Sequence, residues 1–319
     1  GAAQRSRFIR RALIIAVPAV LTVIWLGVRL ESARNQRNKV DLYRDRGQSI
    51  FTEAKKRAAE AATLRQQAYT AFDAMDKDRG ESLWASALEA GNDAEDLYTK
   101  SEYSYTAGLA LDSTRADVRS GISDVLYDMA LLFEQTHQKQ KLPDVFARLQ
   151  LYDTEGSRIS KLTEPAVLDI AVEPADTEIE IGRYVLDKKQ KYHLADVHRL
   201  GATPLMGQTL PPASYLLTFR KSGHEEVRYP ILVSHGERLK IDFRVPKAGT
   251  IPAGYVYIPP GRFLFGSAAD EIIRAGTLST VPLHTVQTQG YLISRTEVTV
   301  GEFLEFASQL SPQSMSKIA

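Results

Sequence analysis

The apolar stretch Ala12–Val28 constrains the fold of this chain more than any other feature of the sequence. It contains no charged residue, and arginines crowd both of its ends. At about 1.5 Å per residue a helix over this stretch reaches roughly 25 Å, slightly short of a hydrocarbon core of about 30 Å. Flanking arginine side chains that extend to the headgroups make up the difference. The sequence therefore predicts a single transmembrane helix at Ala12–Val28, preceded by a basic cytoplasmic flank at residues 1–11.

A cleaved signal peptide is the main alternative, because it also combines a basic segment with an apolar one. The residues that follow the stretch, Val28-Arg29-Leu30-Glu31-Ser32-Ala33, lack the small-x-small pattern of a cleavage site, which favours an uncleaved anchor. Its orientation does not follow from charge, since basic residues are as dense after the stretch as before it.

Composition bounds the remaining possibilities. The 319 residues exceed one typical core, so we expect two or three domains. A net charge of +1 gives no electrostatic reason to expect nucleic acid as a partner. The absence of cysteine excludes disulfides, thiolate metal sites and a cysteine nucleophile. The chain begins with Gly1 and ends soon after an amphipathic stretch, so we expect it to be part of a longer protein.

Residues 41–156 show helical periodicity and predict an antiparallel α-helical hairpin domain. Steps of three and four residues indicate a helix–helix seam at Phe51, Ala54, Ala58, Ala61, Arg65, Ala68, Phe72 and Met75. A second helix from Glu81 carries a small and aromatic stripe at Trp84, Ala87, Ala94, Tyr98 and Tyr105. At this spacing, aromatic residues indicate core packing in preference to a ligand site. Asp112-Ser113-Thr114 predicts the N-cap of a third helix, and Pro143 suits the first turn of a fourth.

The pattern changes to period two over residues 165–246, which predicts a small β-sandwich. Five strands with turn residues between them are expected at Val167–Val172, Thr177–Ile181, Tyr215–Phe219, Val227–Val233 and Leu239–Val245. Residues 247–253 predict a short linker. His193, Asp196 and His198 invite a metal hypothesis, but no third ligand stands at a recognisable spacing, so no metal residue is assigned.

Two resemblances cover the helical and β regions. The helical hairpins resemble tetratricopeptide-type scaffolds, and the segments Leu111–Arg119, Asp124–Tyr127 and Arg148–Asp153 resemble the region after the membrane span in bacterial receptor-type serine/threonine kinases. That resemblance implies a kinase domain on the N-terminal, cytoplasmic side. The β region resembles a PEGA domain at Gly201–Leu205, Leu210–Tyr215 and Ser222–His224. It departs from the PEGA pattern at Ala213, His224, Pro174–Thr177 and a longer insert at Asp187–Arg199. The PEGA resemblance implies binding or spacing.

Residues 254–319 carry the most recognisable pattern. A turn pattern comes first, with Ile258-Pro259-Pro260-Gly261-Arg262-Phe263 followed by Gly266-Ser267. A histidine, His284, precedes the next strand. A helix then begins after Glu297-Val298-Thr299, with Thr299 as its cap and Glu302 at its third position. This pattern resembles the start of the formylglycine-generating, sulfatase-modifying-factor fold. The resemblance implies that the copper-binding cysteines or iron-binding histidines of that family lie C-terminal to this segment. His284 therefore matches a structural position, Glu297 and Thr299 act in capping and packing, and no catalytic or cofactor-binding residue is transferred.

The sequence thus predicts a multidomain α + β protein: one transmembrane helix, a TPR-like helical domain, a PEGA-like sandwich and a truncated α+β sulfatase-modifying-factor start. The favoured function is the sensing or scaffolding region of a bacterial receptor-type serine/threonine kinase, acting by conformational coupling. The alternative is a fragment of an anchored formylglycine-generating-family enzyme, with nonheme iron or copper, whose active site lies in a missing C-terminal part. A structural envelope scaffold is the third hypothesis.

The partners expected are the lipid bilayer through Ala12–Val28, a second copy of the chain, and an envelope ligand or protein, with no nucleic acid. The location expected is the bacterial inner membrane, single-pass, with the C-terminal part extracytoplasmic. No kinase motif is present in the chain, because it has neither a glycine-rich phosphate loop nor a His-Arg-Asp catalytic loop.

Overall fold

The computed structural model describes the backbone of residues 2–310 and the side chains of residues 24–310. The chain divides into two compact units, Gly1–Ser160 and Lys161–Ala319. The first is helical, with α1 at Ala2–Asp73, α2 at Lys77–Leu111, α3 at Ala116–Gln135 and α4 at Leu142–Tyr152. A short 3-10 turn at Lys139–Lys141 precedes α4, and α5 follows at Ser157–Leu162.

The transmembrane prediction for Ala12–Val28 is contradicted. Within the part of the chain that the structure describes, no helix is long and apolar enough to cross a membrane. The stretch belongs to α1, and its described part, residues 24–28, is followed by the charged residues Arg29 and Glu31. The rest of the predicted span, up to residue 23, lies outside the described side chains. The predicted single-pass location in a bacterial inner membrane conflicts with the same finding.

The antiparallel packing of α1 against α2 is confirmed by paired contacts that run in opposite directions along the two helices. Ser104 Oγ donates a hydrogen bond to the Tyr43 carbonyl, Ser101 Oγ donates one to the Gly47 carbonyl, and the ring of Phe51 lies 6.0 Å from that of Tyr98. The predicted seam is buried at Phe51, Ala54, Ala61, Arg65, Ala68 and Phe72. Ala58 is half-buried, and Met75 departs furthest from the prediction, being 93% exposed in the turn after α1 with a φ of 61°.

The third helix differs from the prediction at its start. It begins at Ala116 after Arg115, whose side chain makes no capping hydrogen bond. Asp112 is instead the C-cap of α2, and its carboxylate accepts hydrogen bonds from the amide and hydroxyl of Thr114. The predicted core positions of α3 are all buried, at Val118, Ile122, Val125, Met129 and Leu132. Pro143 does lie in the first turn of α4.

The second unit begins with a β-sandwich of seven strands in two sheets. The strands are β1 Ala166–Ile170, β2 Glu178–Leu186, β3 Tyr192–Ala202, β4 Leu205–Leu210, β5 Ala213–Arg220, β6 Val227–Val233 and β7 Arg238–Ile241. One sheet has the order β4-β1-β7 and the other β3-β2-β5-β6. Residues from both sheets share one hydrophobic core, which includes Leu168, Ile181, Leu217, Phe219 and Ile241. Strands β3 and β4 were not predicted from the sequence, β3 because residues 187–199 were treated as an insert.

Four strands and a helix follow the sandwich. They are β8 Tyr255–Ile258, β9 Gly261–Phe265, β10 His284–Thr288, β11 Tyr291–Ser294 and α6 Val300–Ser308. Strand β8 pairs with β11 and β9 pairs with β10, both antiparallel, in two separate two-stranded sheets. A π-helical turn at Ile272–Thr277 lies between β9 and β10.

Residues 247–253, predicted as a linker, are hydrogen-bonded to the turn that connects β5 and β6. The amide of Ala248 donates to the Gly223 carbonyl, and the amide of Gly249 donates to a carboxylate oxygen of Glu225 at 2.8 Å. These contacts fix the direction in which the chain leaves the sandwich toward β8.

Candidate functional site

The region from β8 to α6 carries the sequence pattern that points most directly to a function. Its loop between β9 and β10 is held by a buried cation. Arg274 is 1% exposed, forms an ion pair of 2.7 Å with Glu271, and donates from Nη1 to the carbonyl of Thr280 at 2.6 Å. A buried arginine with both a carboxylate and a carbonyl partner fixes a loop in one conformation.

His284 starts β10 and is buried, with 4% of its surface exposed. Its Nδ1 lies 2.7 Å from the carbonyl oxygen of Pro282, and its ring meets the edge of Phe265 at 6.0 Å between centroids. A carbonyl oxygen only accepts hydrogen bonds, so Nδ1 carries the proton. The assignment of His284 to a structural position stays a prediction.

The start of α6 confirms the predicted capping box. The Thr299 hydroxyl accepts from the Glu302 amide, and the Glu302 carboxylate accepts from the Thr299 amide at 2.8 Å. These hydrogen bonds to its charged form hold the pKa of Glu302 below its usual value. Glu297 lies in the exposed segment before the cap.

The apolar side chains of this region are exposed on both two-stranded sheets and on the helix. No residue of α6 is buried, and Phe303, Leu304 and Phe306 are 48%, 60% and 55% exposed. Large apolar side chains of the strands are also exposed, at Tyr255, Val256, Phe263, Leu264, Phe265, Tyr291, Leu292 and Ile293. Monomeric proteins rarely expose so many large apolar groups close together in sequence, so this region presents surface that is built to be covered.

The structure brings no third ligand to the candidate metal site on β3, within the described residues. His193 and His198 are exposed along the strand, His198 Nδ1 lies 2.6 Å from the Asp196 carbonyl oxygen, and the Asp196 carboxylate pairs with Arg183 at 3.2 Å. Across the described residues, no group of three or more His, Asp or Glu side chains has an arrangement that could hold a metal ion. The donors in residues 24–310 therefore do not fit the copper or iron centre that the family resemblance implies.

Comparison with known proteins identifies one part of the chain. Residues 244–316 match the model of the family described as a sulfatase-modifying factor enzyme 1-like domain. No curated protein and no solved structure matches the chain. The sulfatase-modifying-factor-like part of the sequence analysis is thus supported. The resemblances to receptor kinases and to a PEGA domain find no support in these comparisons, nor does a kinase sensing role.

The sequence analysis also missed a cavity beside β6. Its walls include Tyr184 and Tyr192 on β2 and β3, and Phe263 on β9. The sequence feature that could have revealed the cavity is the pair Tyr184 and Tyr192, which flank the hairpin turn at residues 187–191. Because that segment was treated as an insert, the two tyrosines were not recognised as neighbours.

Proposed function

We propose that residues 244–310 supply the opening strands and first helix of a sulfatase-modifying-factor-type domain, and that the chain serves as the N-terminal part of a protein of that type. The helical unit and the sandwich precede this domain, and the sandwich holds its first strands through Arg262 and Tyr229. The observation that carries the proposal is the coincidence of the matched segment with the exposed apolar surface from β8 to α6.

The energetics of the region support a covering segment. An isolated two-stranded ladder is marginally stable in water, and independent stability needs further strands or a packed helix. Here β8–β11 and β9–β10 are separate two-stranded ladders, and α6 buries none of its residues. Covering a single Phe or Leu side chain stabilises a fold by about 1.5–3 kcal/mol. We therefore assign the role of cover to further residues of the same polypeptide, which would pack on Tyr291–Ser294 and on α6.

The chemistry of such a protein would reside outside the described residues. Formylglycine-generating members of the family use cysteine and metal, as the resemblance implies, whereas this sequence has no cysteine. What residues 254–308 contribute is a positioned framework: the capped start of α6, the Arg274–Glu271 pair and the buried His284.

The first test is to determine the coding sequence on both sides of the chain. A reading frame that continues past Ala319 and encodes histidines or cysteines within the same domain supports the proposal. A stop codon directly after Ala319 overturns it.

Hydrogen exchange then compares the 319-residue chain with the longer product. We expect slower amide exchange in β11 and α6 of the longer chain and equal exchange in α3 of both.

A pair of substitutions on α6 sharpens the test. Phe303→Lys should leave the melting temperature of the 319-residue chain unchanged, because the side chain is 48% exposed there. In the longer chain the same substitution should destabilise the fold by about 2–5 kcal/mol, since it places a charge in a packed interface. Glu305→Lys, on the same helix and exposed, is the control and should have little effect in either chain. Equal effects of Phe303→Lys in the two chains would refute the covering role.

A further inference from the structure

A cavity of about 600 Å³ lies beside the edge strand β6. Its walls come from β2, β3, β5 and β6 of the sandwich, from the turn into β7, and from β9 and β10. The volume falls within the range of about 300–1,000 Å³ that is usual for small-molecule sites.

Hydrogen bonds between the sandwich and β9 hold the cavity walls together. Arg262 Nη2 donates to the carbonyl oxygen of Leu232 at 3.0 Å and also pairs with the Glu237 carboxylate. The hydroxyl of Tyr229 donates to the carbonyl of Pro260 at 3.1 Å, and burial raises the pKa of this phenol, so it stays a donor at neutral pH. The cavity is therefore formed by the folded chain before any ligand arrives.

Aromatic rings form much of the lining. Tyr184 and Tyr192 meet edge to face, with 6.4 Å between ring centroids and an interplanar angle of 85°. Phe263 and Leu264 of β9 contribute further apolar surface to the same cavity. Tyr192 is 70% exposed, so its ring is accessible to a ligand. Rings of this kind offer flat faces to which aliphatic C–H groups pack favourably.

Hydroxyl groups are interleaved with these rings. Within the described part of the chain, the hydroxyls of Ser214, Ser234 and Thr285, and the phenols of Tyr184 and Tyr192, have no protein hydrogen-bond partner. Each hydroxyl is both a donor and an acceptor. They are available to a ligand that itself carries several groups of both kinds.

The two charged residues that line the cavity neutralise each other. Glu237 accepts from the Ser234 amide at 2.9 Å in addition to its pairing with Arg262, so both of its oxygens are engaged. Bringing an anionic or cationic ligand here would compete with that pair and place an uncompensated charge near it. The site therefore favours a neutral ligand.

We propose that this cavity binds a neutral saccharide of one or two hexose rings. Such a ligand matches the three properties of the lining: its ring C–H faces suit the aromatic side chains, its hydroxyls suit the free hydroxyls, and it carries no charge. A purely apolar ligand would leave the hydroxyl groups without partners, which costs free energy. The cavity joins the sandwich edge to β9 and β10, whereas the covering residues proposed above would pack on Tyr291–Ser294 and on α6, so saccharide binding and that cover are tested separately.

Isothermal titration calorimetry on the 319-residue protein tests the proposal, with maltose, cellobiose and N,N′-diacetylchitobiose as probes. We expect at least one of them to bind, and we expect Tyr192→Ala to weaken that binding about tenfold or more. Ser214→Ala should weaken it to a smaller extent. Tyr103→Ala is the matched control: Tyr103 is a 73% exposed tyrosine of α2 that does not line the cavity, and its loss should leave binding unchanged.

Three results would overturn the proposal. One is that none of the three disaccharides gives a heat of binding at concentrations of about 10 mM, above the weakest affinities of specific sites. The second is that Tyr192→Ala and Tyr103→Ala affect binding equally. The third is that glucuronate or indole binds at this cavity more tightly than every neutral disaccharide, which would assign the cavity to a charged or a purely aromatic ligand. Circular dichroism of each variant establishes that it is folded.

Discussion

The ring of Tyr105 lies between two glycines of neighbouring helices, and this arrangement makes Gly121→Ala a sharp test of the helical packing. Tyr105 on α2 is 1% exposed, and its hydroxyl donates to Gln48 Oε1 at 2.9 Å. A Cβ added to Gly121 of α3 would lie 2.5 Å from Tyr105 Cε1, and one added to Gly47 of α1 would lie 2.9 Å from Cδ2. The ring therefore has no room to move away from α3.

Two opposing terms decide the size of the effect. Replacing Gly by Ala inside a helix stabilises it by about 0.8–1.0 kcal/mol. Against this, the 2.5 Å approach is well inside van der Waals contact, and overpacking a well-packed core typically costs about 1–3 kcal/mol. The ring is confined by Gly47 and by its bond to Gln48, so the clash lies toward the upper end. We expect Gly121→Ala to destabilise the helical unit by about 1–2 kcal/mol net.

The matched control is Gly91→Ala on α2, where the nearest atom to an added Cβ is Arg65 Nη1 at 4.0 Å. Because this substitution causes no clash, only the higher helix propensity of alanine acts, and we expect the free energy of unfolding to rise by about 0.5–1 kcal/mol. Thermal unfolding followed by circular dichroism separates the two variants, since 1 kcal/mol shifts the melting temperature by about 2–4 °C in a domain of this size. A Gly121→Ala protein as stable as Gly91→Ala would refute the confinement of Tyr105.

Three further predictions concern single side chains. Burial raises the pKa of Asp128, against the opposing effect of Lys55. Its ionised form therefore destabilises the fold above the unfolded pKa of about 3.9, and Asp128→Asn should raise the melting temperature at pH 7 but not at pH 3; equal shifts would contradict this. Burial lowers the pKa of Arg65, which means that its charged form is destabilised by loss of solvent. Arg65→Met should therefore keep or increase the free energy of unfolding in urea. A loss above about 2 kcal/mol would show that the charge of Arg65 stabilises the fold. Thr299→Ala should speed amide exchange in the first turn of α6 by removing a cap worth about 1 kcal/mol, and unchanged exchange would show the cap to be dispensable.

The sequence predicted the helical packing well because a period of three to four residues directly determines which side chains meet. Phe51, Ala61 and Ala68 are buried where the seam placed them. The prediction failed at Met75 and at the start of α3, where a single turn decides the outcome. Asp112 has the composition of an N-cap but closes α2 instead, since its carboxylate bonds to Thr114 within the connecting turn.

The strands were predicted less completely, because part of the sandwich is exposed on both faces. Strand β3 carries exposed residues over most of its length, so it lacks the apolar alternation that reveals a half-buried strand. Its pairing with β2 across the turn at residues 187–191 was therefore not recognised, although the two strands are adjacent in sequence. The cavity depends on this pairing, because Tyr184 and Tyr192 become neighbours only across the β2–β3 hairpin.

Residues of the matched segment cover the edge of the sandwich. Strand β6 is the end strand of its sheet, and the outer edge of such a strand presents unpaired backbone groups that need cover. The Leu232 carbonyl on β6 receives its hydrogen bond from Arg262, and Tyr229 of the same strand donates to Pro260. The turn before β9 and the first residues of β9 therefore protect the sandwich edge, and the sandwich in return holds these residues in place. These contacts hold the start of β9 against the sandwich, although Phe263 and Phe265 remain exposed.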